Sequence, residues 1–228
     1  MIEVLYQWLK WSHAFVGFVA LIFFWVPMVT RKGSRIHRNG GWIYTWAMGF
    51  VSLSALIMAV IRISGLKVST EEEYQFAWFL LLIAWLSASA GWHGLIVLQT
   101  HWWKQFAMRI NVVGIIIAGV LGVGSLLIIA YGWSVQNVLL KWFPLVGLNL
   151  AISQFLMLRS RTQMSPKVWR MREHISGMIG CGIATVTAFT VFGAPRLMGW
   201  SEAPLWLWLT PIAVLVPLIV YSIRKYAR

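Results

Sequence analysis

The chain has 228 residues, 60% of them apolar and only 11% charged, with 16 Trp and a mean hydropathy of +0.75. Soluble globular proteins carry about a quarter charged residues, so this composition excludes that class and predicts a protein embedded in a bilayer. The net charge of +13 calls for no nucleic acid, because basic loops beside a membrane meet anionic lipid heads and no nucleic-acid-binding motif occurs.

Seven apolar runs approach or exceed the roughly 20 residues that cross a hydrocarbon core. The first, Ala14 to Thr30, predicts a helix over 12–30. It follows the start MIEVLYQWLKWSHAF, which has an acid before its first Lys and no basic n-region, and so reads as a retained span rather than a removable signal. Trp42 to Ile61 predicts a helix over 40–63, and Tyr74 to Leu98 one over 74–98. The third span carries Ser87, Gly91 and Ala90, Gly94 at four-residue spacing, which lets backbones approach where no water drives helices together. Ile110 to Tyr131 predicts a helix over 104–132 with Ala118 and Gly122, and Val138 to Leu158 one over 137–159. Ile175 to Phe192 predicts a helix over 168–193 with Ser176 and Gly180, and Leu205 to Ile223 one over 204–224. By their small residues, the third, fourth and sixth spans are expected at the packed centre. The last span, with Pro211 and Pro217, is expected at the periphery.

Runs such as Ile115 to Ala130 do not alternate, which excludes an outer-membrane barrel and leaves helices as the way to satisfy the backbone in lipid. The expected fold is therefore an all-α integral membrane protein, a seven-helix bundle forming a single domain over 1–228 with no linker. Trp and Tyr near span ends suit interfacial belts. Cys181 is alone, so no intramolecular disulfide can form.

Cations set the expected orientation. They cluster after the first, third, fifth and seventh spans (Arg31 to Arg38, Lys104 and Arg109, Arg159 to Arg172, Arg224 to Arg228), leaving Lys10, Arg62, Lys67, Lys141 and Arg196 for the other face. The positive-inside rule then puts the N-terminus outside and the C-terminus in the cytoplasm. A multi-pass protein of the bacterial inner membrane is expected, with membrane lipids as surroundings.

On that topology four of the five histidines share the cytoplasmic face. His37, His101 and His174 stand where helices begin, and His93 lies a turn or so inside the end of the third span, within GWHG. A helix N-terminus disfavours imidazolium and so favours the neutral, metal-binding ring. Three or four such donors suit zinc or another divalent ion, and two facing each other suit a haem iron. An ionisable residue inside a span is a functional candidate by default, which singles out His93. Met178 and Cys181 follow His174 at i+4 and i+7, so the three share a face. Soft sulfur there suits copper or contact with a porphyrin, and equally suits core filling. Glu173, the one acid expected on that side, can orient an imidazole, act as general base on metal-bound water, or pair with Arg170 or Arg172. Asn111, near Arg109 and His101, is a secondary candidate. Asn149, Gln154, Thr185 and Thr187 are expected to tie helices together. His13, at the opposite end of the first span, is too far across a bilayer of about 30 Å to join the others.

The strings HRNGGWIY (His37, Arg38, Gly41, Tyr44), HWW with a following Arg (His101, Trp102, Trp103, Arg109) and HISGMIGCGIATVTAF from His174 to Phe189 resemble elements of a broad bacterial family of small polytopic membrane proteins, known only as a domain of unknown function. The likeness covers most of the second to sixth spans. That family is distantly similar to the multi-helix b-type cytochromes, in which paired histidines are stacked at two depths. One depth of histidine here favours a single haem or metal ion over a two-haem chain of electron transfer.

Three functional classes follow. The leading expectation is a membrane redox or electron-transfer protein holding haem b or a transition metal (zinc, iron or copper) through His37, His93, His101 and His174, with His93 and His174 as the preferred axial pair. Arg38 and Arg109 would then meet haem propionates, or the head of a quinone or another redox partner. The second is a zinc-dependent intramembrane hydrolase acting on a lipid-like substrate, in which Glu173 handles the proton. The third is an accessory membrane subunit without a cofactor.

Overall fold

In lipid a backbone amide must find its partner within the chain, and every apolar run accordingly winds into helix. The computed structural model describes residues 1–67, 69–99, 104–160, 165–200 and 203–227, apart from the side chains of 99, 104–111, 157–160 and 205. In chain order the helices are α1 (Ile2–Val29), α2 (Arg35–Ile63), α3 (Glu71–Gln99), α4 (Lys104–Ser134), α5 (Val138–Trp142), α6 (Pro144–Ser160), α7 (Pro166–Ala188), α8 (Ala194–Met198) and α9 (Leu205–Tyr226). They make seven segments long and apolar enough to cross a membrane, as the sequence predicts.

The differences lie at the ends. Helix α1 begins ten residues before the expected start, because Ile2, Tyr6 and Leu9 recur at helical spacing and pack on Met58 and Ile61 of α2. Helix α2 also starts early, at Arg35, where the Ser34 hydroxyl accepts the His37 N–H. Thr70 and Glu73 form a reciprocal capping box at the head of α3, side chain to backbone in both directions. The fifth span is two pieces, α5 and α6, meeting at Phe143, since Pro144 has no N–H to give to the carbonyl four residues back. The sixth runs on from α7 through a π-helical turn, Phe189–Gly193, into α8, and stops at Gly199, whose φ of +70° belongs to the left-handed region.

Helix α3 lies between α2 and α7, α1 packs on α2, α4 on α6, and α9 on α7. One buried cluster joins Phe24, Tyr44, Met48, Ala90, Ile179, Cys181 and Leu215, so it is shared by α1, α2, α3, α7 and α9. A second joins Phe79, Leu82 and Leu86 of α3 to Leu121, Leu140 and Ala151 of α4, α5 and α6. The third and sixth spans are the most enclosed, each 44% buried, whereas the fourth is only 22% buried and flanks the bundle. The expectation of a central fourth span is corrected accordingly; its small residues serve α6, with Gly122 against Ala151. On α7 the expected pair of small residues is also displaced. Gly180 faces open space, while Gly177 meets Gly94 so closely that a Cβ on Gly177 would lie 2.5 Å from the Gly94 Cα, and Gly182 receives the ring of Phe24.

Candidate functional site

Three of the four grouped histidines are described, and they meet at one end of the bundle. His37 stands in the first turn of α2, His93 near the end of α3 and His174 in the third turn of α7. His101 lies outside the described residues, as do the side chains of Arg109 and Asn111 in α4.

Each ring is held by one nitrogen. His37 Nδ1 is 3.1 Å from the Pro27 carbonyl oxygen. A carbonyl only accepts, so Nδ1 carries the proton and donates, and Nε2 keeps its lone pair in the neutral ring. That carbonyl is free to accept because Pro27 belongs to the last turn of α1, where main-chain oxygens lack a helical partner. Lys32 caps the same turn, with Nζ 2.7 Å from Pro27 O and 2.9 Å from Met28 O.

His174 repeats the arrangement across a different seam. Its Nδ1 is 2.8 Å from Gly94 O, again leaving Nε2 as the free acceptor. Gly94 has no side chain to fend off the ring, and its contact with Gly177 draws α7 onto the α3 backbone. The His37 ring and the Lys32 ammonium both stand within electrostatic reach of His174. Burial, and the neighbouring Lys225 ammonium, hold the Lys32 amine below the ordinary lysine range. Its Nζ also lies 5.8 Å from the Tyr226 ring, and the C-terminal end of α9 adds the Lys225 ammonium to the same corner. Arg38 is exposed beside it.

His93 is engaged differently. Its Nε2 is 2.9 Å from Glu173 Oε2, and Glu173 is only 1% exposed. Trp169, Glu173, Gly177 and Cys181 follow one another at four-residue spacing, which aims the carboxylate at α3. Of the roles considered for Glu173, pairing with Arg170 or Arg172 is replaced by this bond; among the described residues no ion pair joins it to either arginine. Also among the described residues, no group of three His, Cys, Asp or Glu is arranged to hold a metal ion.

Deeper in the bundle, a cavity of about 330 Å³ lies between α2, α3, α4 and α7, with Tyr44, Met48, Trp85, Trp92, Met178 and Cys181 in its walls. Met178, one turn beyond His174, thus faces this space. Tyr44 OH and Thr185 Oγ1 are 3.2 Å apart, and the Thr185 hydroxyl lies 3.2 Å from Met48 Sδ, so α2 and α7 are tied through side chains beside it. Thr185 and Gln154, the latter bound to Ser89 at 3.0 Å, tie helices as expected. The sequence reading missed the cavity and the partner of His13. His13 Nδ1 lies 2.9 Å from Ser54 Oγ and joins α1 to α2 at the far end. Ser54 occurs on the inner face of α2, but no periodicity names its partner on another span.

No family model, no curated protein and no solved structure matches this chain.

Proposed function

We propose that the chain is a membrane redox protein that holds haem b at its basic end, with His37 and His174 as the two imidazole ligands. The observation that carries this reading is the shared hydrogen-bonding of the two rings. Each gives its Nδ1–H to a main-chain carbonyl of a neighbouring helix and leaves Nε2 bare, the arrangement that fixes the tautomer of a ligating histidine and raises its basicity. Two such donors suit a six-coordinate haem iron.

This pairing replaces His93 with His37 relative to the sequence expectation. Between His93 and His174 the backbones of α3 and α7 touch at Gly94 and Gly177, which leaves no slot for a porphyrin there. Helices α2 and α7 are joined by side chains instead. His93 then acts as the partner of Glu173, and Lys32 and Arg38 supply cations for propionates. A bound haem would contribute one-electron chemistry; the chain contributes two oriented donors, an apolar surround and the compensating charge. By the distribution of cations we read the basic end as cytoplasmic.

The test is an optical spectrum of full-length protein purified in detergent after haem supplementation. A Soret band is expected, lost in His37→Ala and in His174→Ala and kept in His13→Ala. Absence of the band from the supplemented wild type, or its survival in both ligand variants, overturns the proposal.

A further inference from the structure

Hydroxyls inside a membrane bundle commonly turn back on their own helix, and several serines here do so. Ser12, Ser54 and Ser125 each donate to the carbonyl one turn earlier. Ser52 on α2 and Ser87 on α3 do not. Both are 5% exposed, both line the cavity between their helices, and neither has a hydrogen-bond partner among the described residues. Two hydroxyls on different walls of one cavity, each in a residue 5% exposed and without a partner among the described residues, keep their hydrogen-bonding capacity free for a polar ligand there.

The remaining walls specify what would meet that capacity. Trp85 and Trp92 are seven residues apart on one face of α3 and offer aromatic surface to a planar ring. Met48, Met178 and Cys181 line it with polarisable sulfur. Gly49 keeps it open, since a Cβ there would meet nothing within 4 Å. Leu53, also a lining residue, is 58% exposed, so the cavity reaches the lipid-facing surface. A volume of about 330 Å³ accommodates a substituted ring but not a long chain, which must leave by that opening.

We propose that this cavity binds the head of an isoprenoid quinone. Its ring oxygens accept from Ser52 and Ser87, the ring lies against the Trp85 and Trp92 indoles, and the tail runs out past Leu53 into the bilayer. A lipid acyl chain would fill the same space without using either hydroxyl, and this difference is what the test exploits. The site uses none of the residues assigned to haem, so it stands or falls separately from that reading.

The probe is decylubiquinone, titrated into full-length protein in phosphatidylcholine nanodiscs and followed by tryptophan quenching, with decylbenzene as the ring lacking carbonyls. Wild type is expected to bind decylubiquinone well above decylbenzene. The double variant Ser52→Ala/Ser87→Ala should lose roughly tenfold in affinity, the equivalent of two neutral hydrogen bonds. Gly49→Leu should abolish binding by filling the cavity. If Gly49→Leu proves unstable, the serine variant, which removes only two oxygens, decides alone. Equal binding of decylbenzene, or full decylubiquinone affinity in the serine variant, overturns the proposal and marks the cavity as a lipid recess.

Discussion

At Glu173 an acid is carried into the apolar interior and met by the imidazole of His93, 2.9 Å away on α3. The bond matters because the Glu173 side chain, 1% exposed, cannot turn to water, and His93, 13% exposed, is the group it meets. Glu173→Gln keeps an acceptor for the His93 N–H and is expected to cost about 1 kcal/mol. Glu173→Ala strands that donor beside a void and should cost roughly 3 kcal/mol or more. Thermal unfolding in detergent separates the two, and equal losses would mean that charge rather than the hydrogen bond is what the site needs. The sequence offered orienting an imidazole as one of three roles for Glu173 and favoured pairing with Arg170 or Arg172, which the His93 bond replaces. Which imidazole was not legible, because the answer depends on the rotation of α7 about its axis against a helix 80 residues distant. The same holds for His37 and His174, whose carbonyl partners belong to other helices and leave no trace in residue type.

Helix against helix, the decisive contact is Gly94 on Gly177. The string GMIG offers two glycines, Gly177 and Gly180, that differ by about 60° around the helix, so periodicity alone does not decide which one faces α3. The structure assigns them opposite roles, and the prediction is correspondingly asymmetric. Gly177→Ala should destabilise by about 1–3 kcal/mol, since backbone rather than a movable side chain stands in the way. Gly180→Ala, opening onto free space, should be neutral or stabilise by up to about 1 kcal/mol through helix propensity. Melting curves of the two single variants check this, and similar losses in both would contradict the packing described. Local chemistry was more readable at helix starts. Ser34 ahead of α2 and the Thr70–Glu73 pair at α3 carry their signal within four residues, whereas the early start of α1 depends on a distant contact with Met58 and Ile61.

For the molecule as a whole, the seven spans were legible because length and apolarity suffice to specify them, and their neighbours were not, because lipid-facing and helix-facing surfaces are almost equally apolar. Val120 and Leu121 show the difficulty: adjacent and chemically alike, one is exposed and the other 1% accessible. The orientation inferred from cations has a direct check. With Cys181 buried and no other thiol in the chain, Glu3→Cys is expected to react with an impermeant maleimide on intact cells, and Arg35→Cys only after permeabilisation. The reverse pattern would invert the bundle in the membrane.

The ring of Phe24 fills the space that Gly182 leaves on α7, which links the first span to the sixth. A ribosome delivers the N-terminal span well before the sixth exists, so during synthesis Phe24 rests only on α2, beside Tyr44, until Gly182 arrives. A chain released after α6 would therefore still hold α1 on α2, α2 on α3 and the cluster shared by α3 to α6, but lack α7, the helix onto which α1, α3 and α9 all close.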